Sequence, residues 1–331
     1  MVQPLYDVLG IGNAMVDVIV HTDDGFLNDN NLIKGAMSLI DAETAQELYK
    51  ISGPAIECSG GSAGNTISCL ASLGSKAAYV GKVFDDQLGR VFAHDIRSLG
   101  VHFDTAPAVT GPATATCLVM VTPDAERTMQ TFLGACVGLG PDDIDEEIVA
   151  ASHVTYMEGY LWDPEDAKAA FLKAAAIAHG AGREVSLSLS DPFCVDRHRD
   201  EFRELVSNHV DILFANEDEI ISLYQTASFD EALQAVRGEC KIAALTRSDK
   251  GSVIVQGNEV HVVDAEPVDH VADTTGAGDA YAAGFLHGYV AGKDLSTSAR
   301  LGGICAAEVI SHVGARAQVN LKDLVAEKLG S

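Results

Sequence analysis

The stretch Asp273-Thr274-Thr275-Gly276-Ala277-Gly278-Asp279 stands directly before the apolar, alanine-rich run 280–285. Its glycines permit a tight turn that gathers backbone N–H groups, and the run that follows predicts a helix with those groups at its N-terminus. Exposed N–H groups and the positive end of the helix dipole favour an anion there. Asp279 falls in the first helical turn, where a carboxylate can take a proton from an attacking hydroxyl. An ordinary glycine-rich helix start, with Asp279 as a first-turn acid, fits the same pattern.

The composition excludes several classes of partner. Among 331 residues, 48 are acidic and 22 are basic, which gives a formal net charge of −26. Nucleic acids and anionic membranes require basic patches, so neither is expected as a main partner. The seven cysteines form no Cys-x-x-Cys pair, which is typical of a reducing compartment and gives no zinc signature. Without a leader pattern or an apolar stretch of about 18 residues, we expect a cytoplasmic protein with no membrane span.

Strand-like apolar runs alternate with helical patterns along most of the chain. The runs 77–80 and 212–215, for example, are each followed by residues at helical spacing. This alternation predicts an α/β fold with a mainly parallel sheet. Hairpin-like stretches do not fit it, and we interpret them as a small β-sheet lid contributed by roughly 14–38 and 107–132. No repeat or linker interrupts the chain, so residues 1–331 are expected to form a single domain with an insertion.

Three further motifs accompany the stretch that ends at Asp279. They are Gly12-Asn13-Ala14-Met15-Val16-Asp17, Gly60-Gly61-Ser62-Ala63-Gly64-Asn65 and Asn216-Glu217-Asp218-Glu219. In this order and spacing, the four motifs resemble those of the ribokinase-like (PfkB) family of carbohydrate and nucleoside kinases. The resemblance implies a ribokinase-like three-layer α/β/α domain with a mainly parallel central sheet and a small β-sheet lid. Within that family the chain is most similar to adenosine kinases.

The resemblance gives the glycine-rich stretch a catalytic role. Asp279 becomes the catalytic base that deprotonates the acceptor hydroxyl. The groups implied to stabilise the moving phosphoryl group are the backbone N–H groups of Gly276, Ala277 and Gly278 and the guanidinium of Arg127. Arginine suits phosphate through bidentate hydrogen bonds, although from the sequence alone Arg127 fits an exposed hairpin charge equally well.

Polar residues of the first two motifs are expected to bind the acceptor. Asp17 interrupts an apolar run, so its carboxylate either faces solvent by strand alternation or meets a ligand. The resemblance favours the ligand, with Asp17 accepting hydrogen bonds from substrate hydroxyls. The other implied substrate-binding residues are Asn13, Gly60, Gly61 and Asn65, and a tight turn before a helix also explains the glycines.

An aromatic segment is implied to hold the base of a nucleoside. Tyr160 and Trp162 lie where adenosine kinases have aromatic side chains, which provide a flat apolar wall. Leu161 stands where the second aromatic of that pattern is expected, so the register of the wall stays open. Buried core aromatics are an equally good interpretation of both residues.

The nucleotide side is implied to use Asn216, Thr246 and Gly251 for ATP and Glu219 for Mg²⁺, largely through water. Asn216 and Glu219 also match a helix N-cap and its capping-box acid, which is the better interpretation without the resemblance. Ser248 stands where the nucleotide loop of the family has its first glycine, which leaves the backbone path of this loop open.

A monovalent cation, usually potassium, is bound in many family members at positions that Asp273 and Thr275 match. Asp273 could equally fix the loop through backbone hydrogen bonds. Neither the need for potassium nor the choice between monomer and homodimer follows from the sequence.

The motifs and the resemblance that they carry imply an ATP- and Mg²⁺-dependent phosphotransferase for a hydroxyl of a small molecule, with adenosine converted to AMP. A sugar kinase of the same family, for a ribose-, fructose- or gluconate-like acceptor, is the alternative. A dinucleotide-dependent oxidoreductase is disfavoured because Met15 replaces the third glycine of Gly-x-Gly-x-x-Gly. A P-loop kinase is also disfavoured, because the chain contains no Gly-x-x-x-x-Gly-Lys-Ser/Thr motif. The presence of Asp279 speaks against a binding protein that has lost catalysis.

Overall fold

The computed structural model describes residues 4–124 and 126–330. Residues 1–3, 125 and 331, which fall within the expected domain and lid ranges, lie outside the described residues. The strands belong to two sheets. In chain order they are β1 (Tyr6–Ile11), β2 (Met15–His21), β3 (Met37–Leu39), β4 (Ala55–Gly60), β5 (Ala77–Val80), β6 (Ala115–Val121), β7 (Arg127–Phe132), β8 (Ser152–Glu158), β9 (Glu184–Ser188), β10 (Ile212–Asn216), β11 (Ile242–Thr246), β12 (Ser252–Gln256) and β13 (Glu259–Val263).

The larger sheet has the strand order β13-β12-β11-β10-β9-β8-β1-β5. Neighbouring strands from β11 to β5 are parallel, whereas β12 and β13 pair antiparallel at one edge. The parallel strands are almost wholly buried because both faces of the sheet are covered. Their carboxyl ends meet along one edge, where ligands bind in open α/β sheets.

Helices connect the strands, and most of them cover the larger sheet. They are α1 (Asp24–Asp29), α2 (Ala42–Ile51), α3 (Ser62–Ser72), α4 (Gln87–Ser98), α5 (Glu146–Ala150), α6 (Glu165–Gly180), α7 (Pro192–His209), α8 (Glu217–Tyr224), α9 (Phe229–Ala235), α10 (Ala277–Val290), α11 (Leu295–Ile310) and α12 (Leu321–Leu329). Helices α2 and α4 instead pack against strands of the smaller sheet. Short 3₁₀ turns occupy Gly134–Gly138, Pro141–Asp143, Gly159–Trp162 and Ser248–Lys250. None of the helices within the described ranges has the length and apolar character needed to cross a membrane.

Two apolar clusters fill the space on the two faces of the larger sheet. One contains Phe92 of α4 and Phe285 of α10, and the other contains Phe171 of α6 and Phe202 of α7. Helix α10 packs closely on α11, since a Cβ atom at Gly284 would lie 2.4 Å from a backbone oxygen of α11. This packing fixes the helix that begins in the glycine-rich stretch. The arrangement confirms the predicted three-layer α/β/α fold with a mainly parallel sheet.

The smaller sheet has the strand order β3-β7-β6-β2-β4. Its presence confirms the second sheet, and β6 and β7 form the expected antiparallel hairpin. Two details differ from the expected ranges. The sheet also includes β4, which lay outside them, and the first range forms no hairpin because β2 leads into α1 and pairs with β4 and β6. These partners are distant from β2 in sequence, so local alternation could not identify them.

The chain crosses between the two sheets at glycine-containing segments. The apolar run 8–20 forms two strands in different sheets, joined through Gly12, where a Cβ atom would lie 2.3 Å from Glu158 Oε2. The return from β4 to α3 passes through Gly61, whose φ of 87° lies in the left-handed region that favours glycine. Both crossings border the cavity that separates the two sheets.

Candidate active site

A cavity of about 840 Å³ lies between the smaller sheet and the carboxyl edge of the larger one. Most residues that were expected to act are gathered on its wall. These are Asn13, Asp17, Gly61, Asn65, Arg127, Tyr160, Asn216, Glu219, Thr246, Thr275, Gly276, Ala277, Gly278 and Asp279. The expected residues that the structure places outside this wall are Gly60, Trp162, Gly251 and Asp273.

The glycine-rich stretch forms the expected helix start. Gly276 is the N-cap of α10 with a φ of 78°, and a Cβ atom there would lie 2.6 Å from the carbonyl oxygen of Ala315. Within the described chain, the N–H groups of Gly276 and Gly278 have no hydrogen-bond partner, whereas that of Ala277 donates to the Thr274 carbonyl at 3.2 Å. Two unbonded N–H groups at a helix N-terminus therefore belong to residues that line the cavity, and the third is already engaged in the turn.

Asp279 lies in the first turn of α10 and is held by two residues of α3. The Ser62 hydroxyl donates to Oδ1 at 2.6 Å, and Asn65 Nδ2 donates to Oδ2 at 3.3 Å. Burial raises the pKa of Asp279 to about 6, the two hydrogen bonds oppose the rise, and the charge of Asp17 adds to it. A carboxylate with this pKa is ionised at neutral pH and is a stronger base than an ordinary aspartate, which suits proton acceptance from a hydroxyl.

Asp17 faces the cavity from the centre of the smaller sheet. Among the described residues, none donates a hydrogen bond to its carboxylate, and burial raises its pKa to about 6 against the charges of Arg316 and Arg127. Gly60 on β4 leaves the room for this carboxylate, since a Cβ atom there would lie 2.4 Å from its carboxyl carbon. Gly60 therefore makes room for the Asp17 side chain and does not itself line the cavity. An unpaired carboxylate on a cavity wall is available to hydroxyl groups of a ligand.

Glu158, at the end of β8, supports the acceptor side and was missed in the sequence. Its carboxylate accepts from Asn13 Nδ2 at 2.6 Å and from the Ala63 N–H at 2.8 Å. Burial raises its pKa to about 7, against these hydrogen bonds. By engaging Nδ2, Glu158 leaves Asn13 Oδ1 as the free acceptor, and it also fixes the start of α3. The available signal was an acidic residue at the end of a strand-like run.

Arg127 and Asp273 form a buried ion pair. Arg127 Nη1 lies 2.6 Å from Asp273 Oδ2, and their side chains are 8% and 7% exposed. Asp273 also accepts from the N–H groups of Gly314 and Thr275 at 3.0 and 2.9 Å. Although burial opposes it, these hydrogen bonds and the Arg127 charge hold the pKa of Asp273 below its ordinary value. The structure thus gives Asp273 the loop-fixing role that the sequence left open, with both oxygens bonded.

Asn216 and Glu219 form a complete capping box at the start of α8. Glu219 N–H donates to Asn216 Oδ1 at 2.8 Å, and the Glu219 carboxylate accepts from the Asn216 N–H at 2.9 Å and Nδ2 at 2.6 Å. Burial raises the pKa of Glu219 to about 7, and the charges of Asp191, Asp218 and Asp279 raise it further. Both residues still line the cavity, so the capping box leaves them on the wall that a ligand would meet.

The nucleotide loop takes a left-handed backbone conformation at its serine. Ser248 has a φ of 53°, in the left-handed region, so it follows a backbone path that a glycine would permit. Gly251 lies against the end of β13, since a Cβ atom there would lie 2.0 Å from the Val263 carbonyl oxygen. Thr246 lines the cavity, whereas Gly251 shapes the loop behind it. The sequence could not separate these two roles.

The aromatic wall differs from the expected pair. Tyr160 lines the cavity, but Trp162 is 4% exposed and packs between Phe171 and Phe202, with ring centroids 5.7 and 5.8 Å away. Trp162 is therefore a core residue and its expected contact with substrate is wrong. Phe193 lines the cavity instead and is 67% exposed. Phe193 was not identified from the sequence, since its position on the cavity wall depends on how α7 begins.

Comparison with known proteins gives the family. A model of the pfkB carbohydrate kinase family matches residues 35–322. An adenosine kinase structure from Sinorhizobium meliloti is 54% identical, with a TM-score of 0.90 over 98% of this chain and 99% of that one. A probable sugar kinase structure from Rhizobium etli CFN 42 is 52% identical, with a TM-score of 0.91 over 99% of each chain. An ATP-dependent ribose-1-phosphate kinase from Halopiger xanaduensis is 31% identical over 264 residues, 78% of this chain and 82% of its own.

The family agrees with the site, where an aspartate stands beside unbonded N–H groups at a helix start. The relatives act on sugars or nucleosides, and each is similar over most of its length. The chain therefore belongs to the pfkB family of carbohydrate kinases and is an ATP-dependent kinase that phosphorylates an alcohol group of a sugar or nucleoside.

Proposed function

We propose that this kinase phosphorylates adenosine to AMP, a reaction of purine salvage. The observation that carries the proposal is the apolar and aromatic wall beside the acceptor carboxylates. Tyr160 and Phe193 line one part of the cavity, and Met37, Leu39 and Met129 line another. A purine would cover this surface by stacking and apolar contact. A sugar alone would leave it exposed to water.

In the proposed reaction, Asp17 accepts hydrogen bonds from hydroxyls of the ribose and Asn13 Oδ1 accepts another. The acceptor hydroxyl lies beside Asp279, which takes its proton as the oxygen forms a bond to the γ-phosphorus of ATP. The bond from that phosphorus to the β–γ bridging oxygen breaks, and ADP leaves. The unbonded N–H groups of Gly276 and Gly278 stabilise the charge on the phosphoryl oxygens.

The residues present fit ATP with Mg²⁺. Glu219 would hold the ion through water, and Mg²⁺ would neutralise charge on the phosphate oxygens. Within the described residues, no group of three or more His, Cys, Asp or Glu side chains is placed to hold a metal alone. Binding through water and phosphate oxygens agrees with that arrangement, as Mg²⁺ takes few protein ligands.

Arg127 was expected to bind the moving phosphoryl group, but in the structure its guanidinium is paired with Asp273. The residue still lies on the cavity wall. We propose that it turns towards the γ-phosphate only when ATP is bound, and that the Arg127–Asp273 pair makes a monovalent cation at Asp273 and Thr275 unnecessary. The smaller sheet acts as a lid that excludes water, which limits ATP hydrolysis.

A sugar kinase of the same family is the second candidate. The similarity to the Rhizobium etli and Halopiger xanaduensis proteins supports it, and so does the polar end of the cavity at Asn13, Asp17 and Glu158. This candidate uses the same base and the same anion site. It differs only in leaving the aromatic wall without a partner.

A coupled ADP-release screen tests the choice of acceptor. Adenosine, other nucleosides, ribose, fructose and ribose 1-phosphate are each assayed with ATP and Mg²⁺, with and without potassium. We expect adenosine to have a kcat/KM about 5- to 150-fold above those of the sugars, since base stacking contributes about 1–3 kcal/mol. A sugar with the highest kcat/KM would refute adenosine as the acceptor.

A further inference from the structure

Arg316 lies between α11 and α12, next to Ala315 on the cavity wall. Its side chain is 20% exposed and joins three elements. Nε donates to Asn65 Oδ1 of α3 at 3.2 Å, Nη1 donates to Asp95 Oδ2 of α4 at 3.1 Å, and Nη2 donates to the Ser59 hydroxyl of β4 at 2.7 Å. None of the roles described above uses this residue.

The contact with Asn65 decides the direction of its amide. A guanidinium can only donate hydrogen bonds, so it must meet Oδ1 and leave Nδ2 on the opposite side. Nδ2 accordingly donates to Asp279 Oδ2 at 3.3 Å. With the amide reversed, Oδ1 would face the carboxylate and Nδ2 would face the guanidinium, and both contacts would be repulsive. Arg316 thereby selects the orientation in which Asn65 supports the base.

Arg316 is itself held in place by Asp95. Asp95 Oδ2 accepts from Arg316 and also from the N–H and hydroxyl groups of Ser59, at 2.8 and 2.6 Å. Although burial opposes it, these bonds and the Arg316 charge hold the pKa of Asp95 below its ordinary value. Because its guanidinium is bonded to Asn65, Asp95 and Ser59, Arg316 can act on the reaction only through these neighbours and not by contact with substrate.

Arg316 also lies close to Asp17 in the fold, because Ser59, to which it donates, directly follows Cys58, the residue of β4 that pairs with Asp17 of β2. Burial raises the pKa of Asp17, and Arg316 is the largest charge that opposes the rise. Asp17 is flanked by Cys58 on β4 and Cys117 on β6. The titratable or charged side chains that face Asp17 from neighbouring elements are Cys58, Cys117, Arg127, Asp279 and Arg316. Loss of the Arg316 charge would bring the Asp17 pKa closer to neutral.

We propose that Arg316 is a positioning residue of this kinase, which orients Asn65 towards the base Asp279 and places its charge beside the acceptor carboxylate Asp17. The inference rests on the roles proposed above for Asp17 and Asp279. It predicts two separable effects: the planar guanidinium sets the rate of transfer through Asn65, and the positive charge sets the pH range of acceptor binding.

Two variants separate these effects in pH profiles of kcat and kcat/KM, measured with ATP and adenosine and, in parallel, with ATP and ribose. Arg316→Gln removes the charge and is expected to lower kcat/KM about tenfold at pH 7 and to move its acid limb up by about half a unit to one unit. Arg316→Lys keeps the positive charge but loses the planar guanidinium with its several N–H donors. The acid limb of kcat/KM should therefore be unchanged, while kcat falls several-fold. Arg199→Gln is the matched control, because Arg199 is 24% exposed and bonds Ser222 away from the cavity. It should change neither profile.

A double-mutant cycle tests the path through Asn65. In an Asn65→Ala background, Arg316→Gln is expected to cause no further loss of kcat, since the orientation it sets is gone. Losses that multiply, or an Arg316→Gln enzyme with normal kcat and an unmoved acid limb, would overturn the inference. If Arg316→Gln does not fold, Arg316→Lys and Asp95→Asn give the same test, and both are expected to lower kcat. Activity in Asp279→Asn would instead overturn the proposed base.

Discussion

Two sets of polar groups on the cavity wall differ in whether they are already bonded to the protein: Asp17 with the N–H groups of Gly276 and Gly278, and the pair Asn216 and Glu219. In the first set, no described residue donates a hydrogen bond to Asp17, and the N–H groups of Gly276 and Gly278 are without a partner in the same described ranges. In the second set, Asn216 and Glu219 bond each other. Unbonded groups on the wall are ready to bind a ligand directly. The Asn216–Glu219 pair holds the backbone at the start of α8, so it can bind a ligand only through the hydrogen-bonding capacity that the capping box leaves free.

The largest expected effect belongs to Asp279, beside the N–H groups of the first set. Asp279→Asn removes the proton acceptor, so we expect kcat to fall by about 10²- to 10⁴-fold in the coupled assay. The fold should persist, since burial of the Asp279 charge raises its pKa and therefore disfavours the folded state above about pH 6. Thermal unfolding at pH 7 is the control, and the variant should melt no lower than the parent. Substantial turnover would remove Asp279 as the base.

The pH dependence of the rate gives the next effect. Burial raises the pKa values of Asp17 and Asp279 to about 6, and both must be ionised for activity. As pH falls through 6 they are protonated together, so kcat/KM should fall about tenfold or more per unit below that value. Rates from pH 5 to 8 in constant ionic strength would show it. A rate that is level down to pH 5 would contradict the assigned ionisation states.

The aromatic residues sharpen the distinction between wall and core. Phe193→Ala should raise KM for adenosine about tenfold with little change in thermal stability, because its ring is exposed to the cavity. Trp162→Phe is the matched comparison. It should lower the melting temperature and leave KM unchanged, because its indole packs on Phe171 and Phe202 and donates to Glu201 at 2.7 Å. The reverse pattern would restore Trp162 as the substrate contact.

The smallest expected effect belongs to the Asn216–Glu219 pair. Glu219→Gln weakens the capping box, which should cost about 1 kcal/mol of stability. It should also raise the Mg²⁺ concentration for half-maximal rate about tenfold, as loss of an outer-shell ligand does. Unfolding curves and Mg²⁺ titrations measure the two effects separately. A stability loss with no change in Mg²⁺ dependence would leave Glu219 as a cap alone.

The parts of the fold and site that the sequence predicted are those set by local pattern. The apolar runs defined the parallel sheet, and the glycines before Asp279 defined the helix start. The missed parts depend on contacts between distant residues. Glu158 reaches Asn13 across 145 positions and Arg316 reaches Asn65 across 251, and no spacing rule connects them. The strand β4 was missed for the same reason, because its only signal is its partner β2.

Some misplaced residues show a second limit. Trp162 and Tyr160 are two positions apart in one 3₁₀ turn, yet one faces the core and the other faces the cavity. An aromatic composition predicts neither direction. Gly60 and Gly251 were expected to meet ligands, but their missing Cβ atoms make room for Asp17 and for the Val263 carbonyl. Glycine signals a close approach without identifying what approaches.

Calorimetric binding of adenosine and of a non-hydrolysable ATP analogue to Asp17→Asn and Asp279→Asn tests the division of labour most directly. We predict that Asp17→Asn weakens adenosine binding by about 10- to 100-fold, since it loses hydrogen bonds to a charged acceptor. Asp279→Asn should bind adenosine nearly as the parent does, and both variants should bind the ATP analogue normally. Unchanged adenosine binding by Asp17→Asn, or loss of nucleotide binding in either variant, would contradict the assignment of Asp17 to the acceptor and Asp279 to the chemistry.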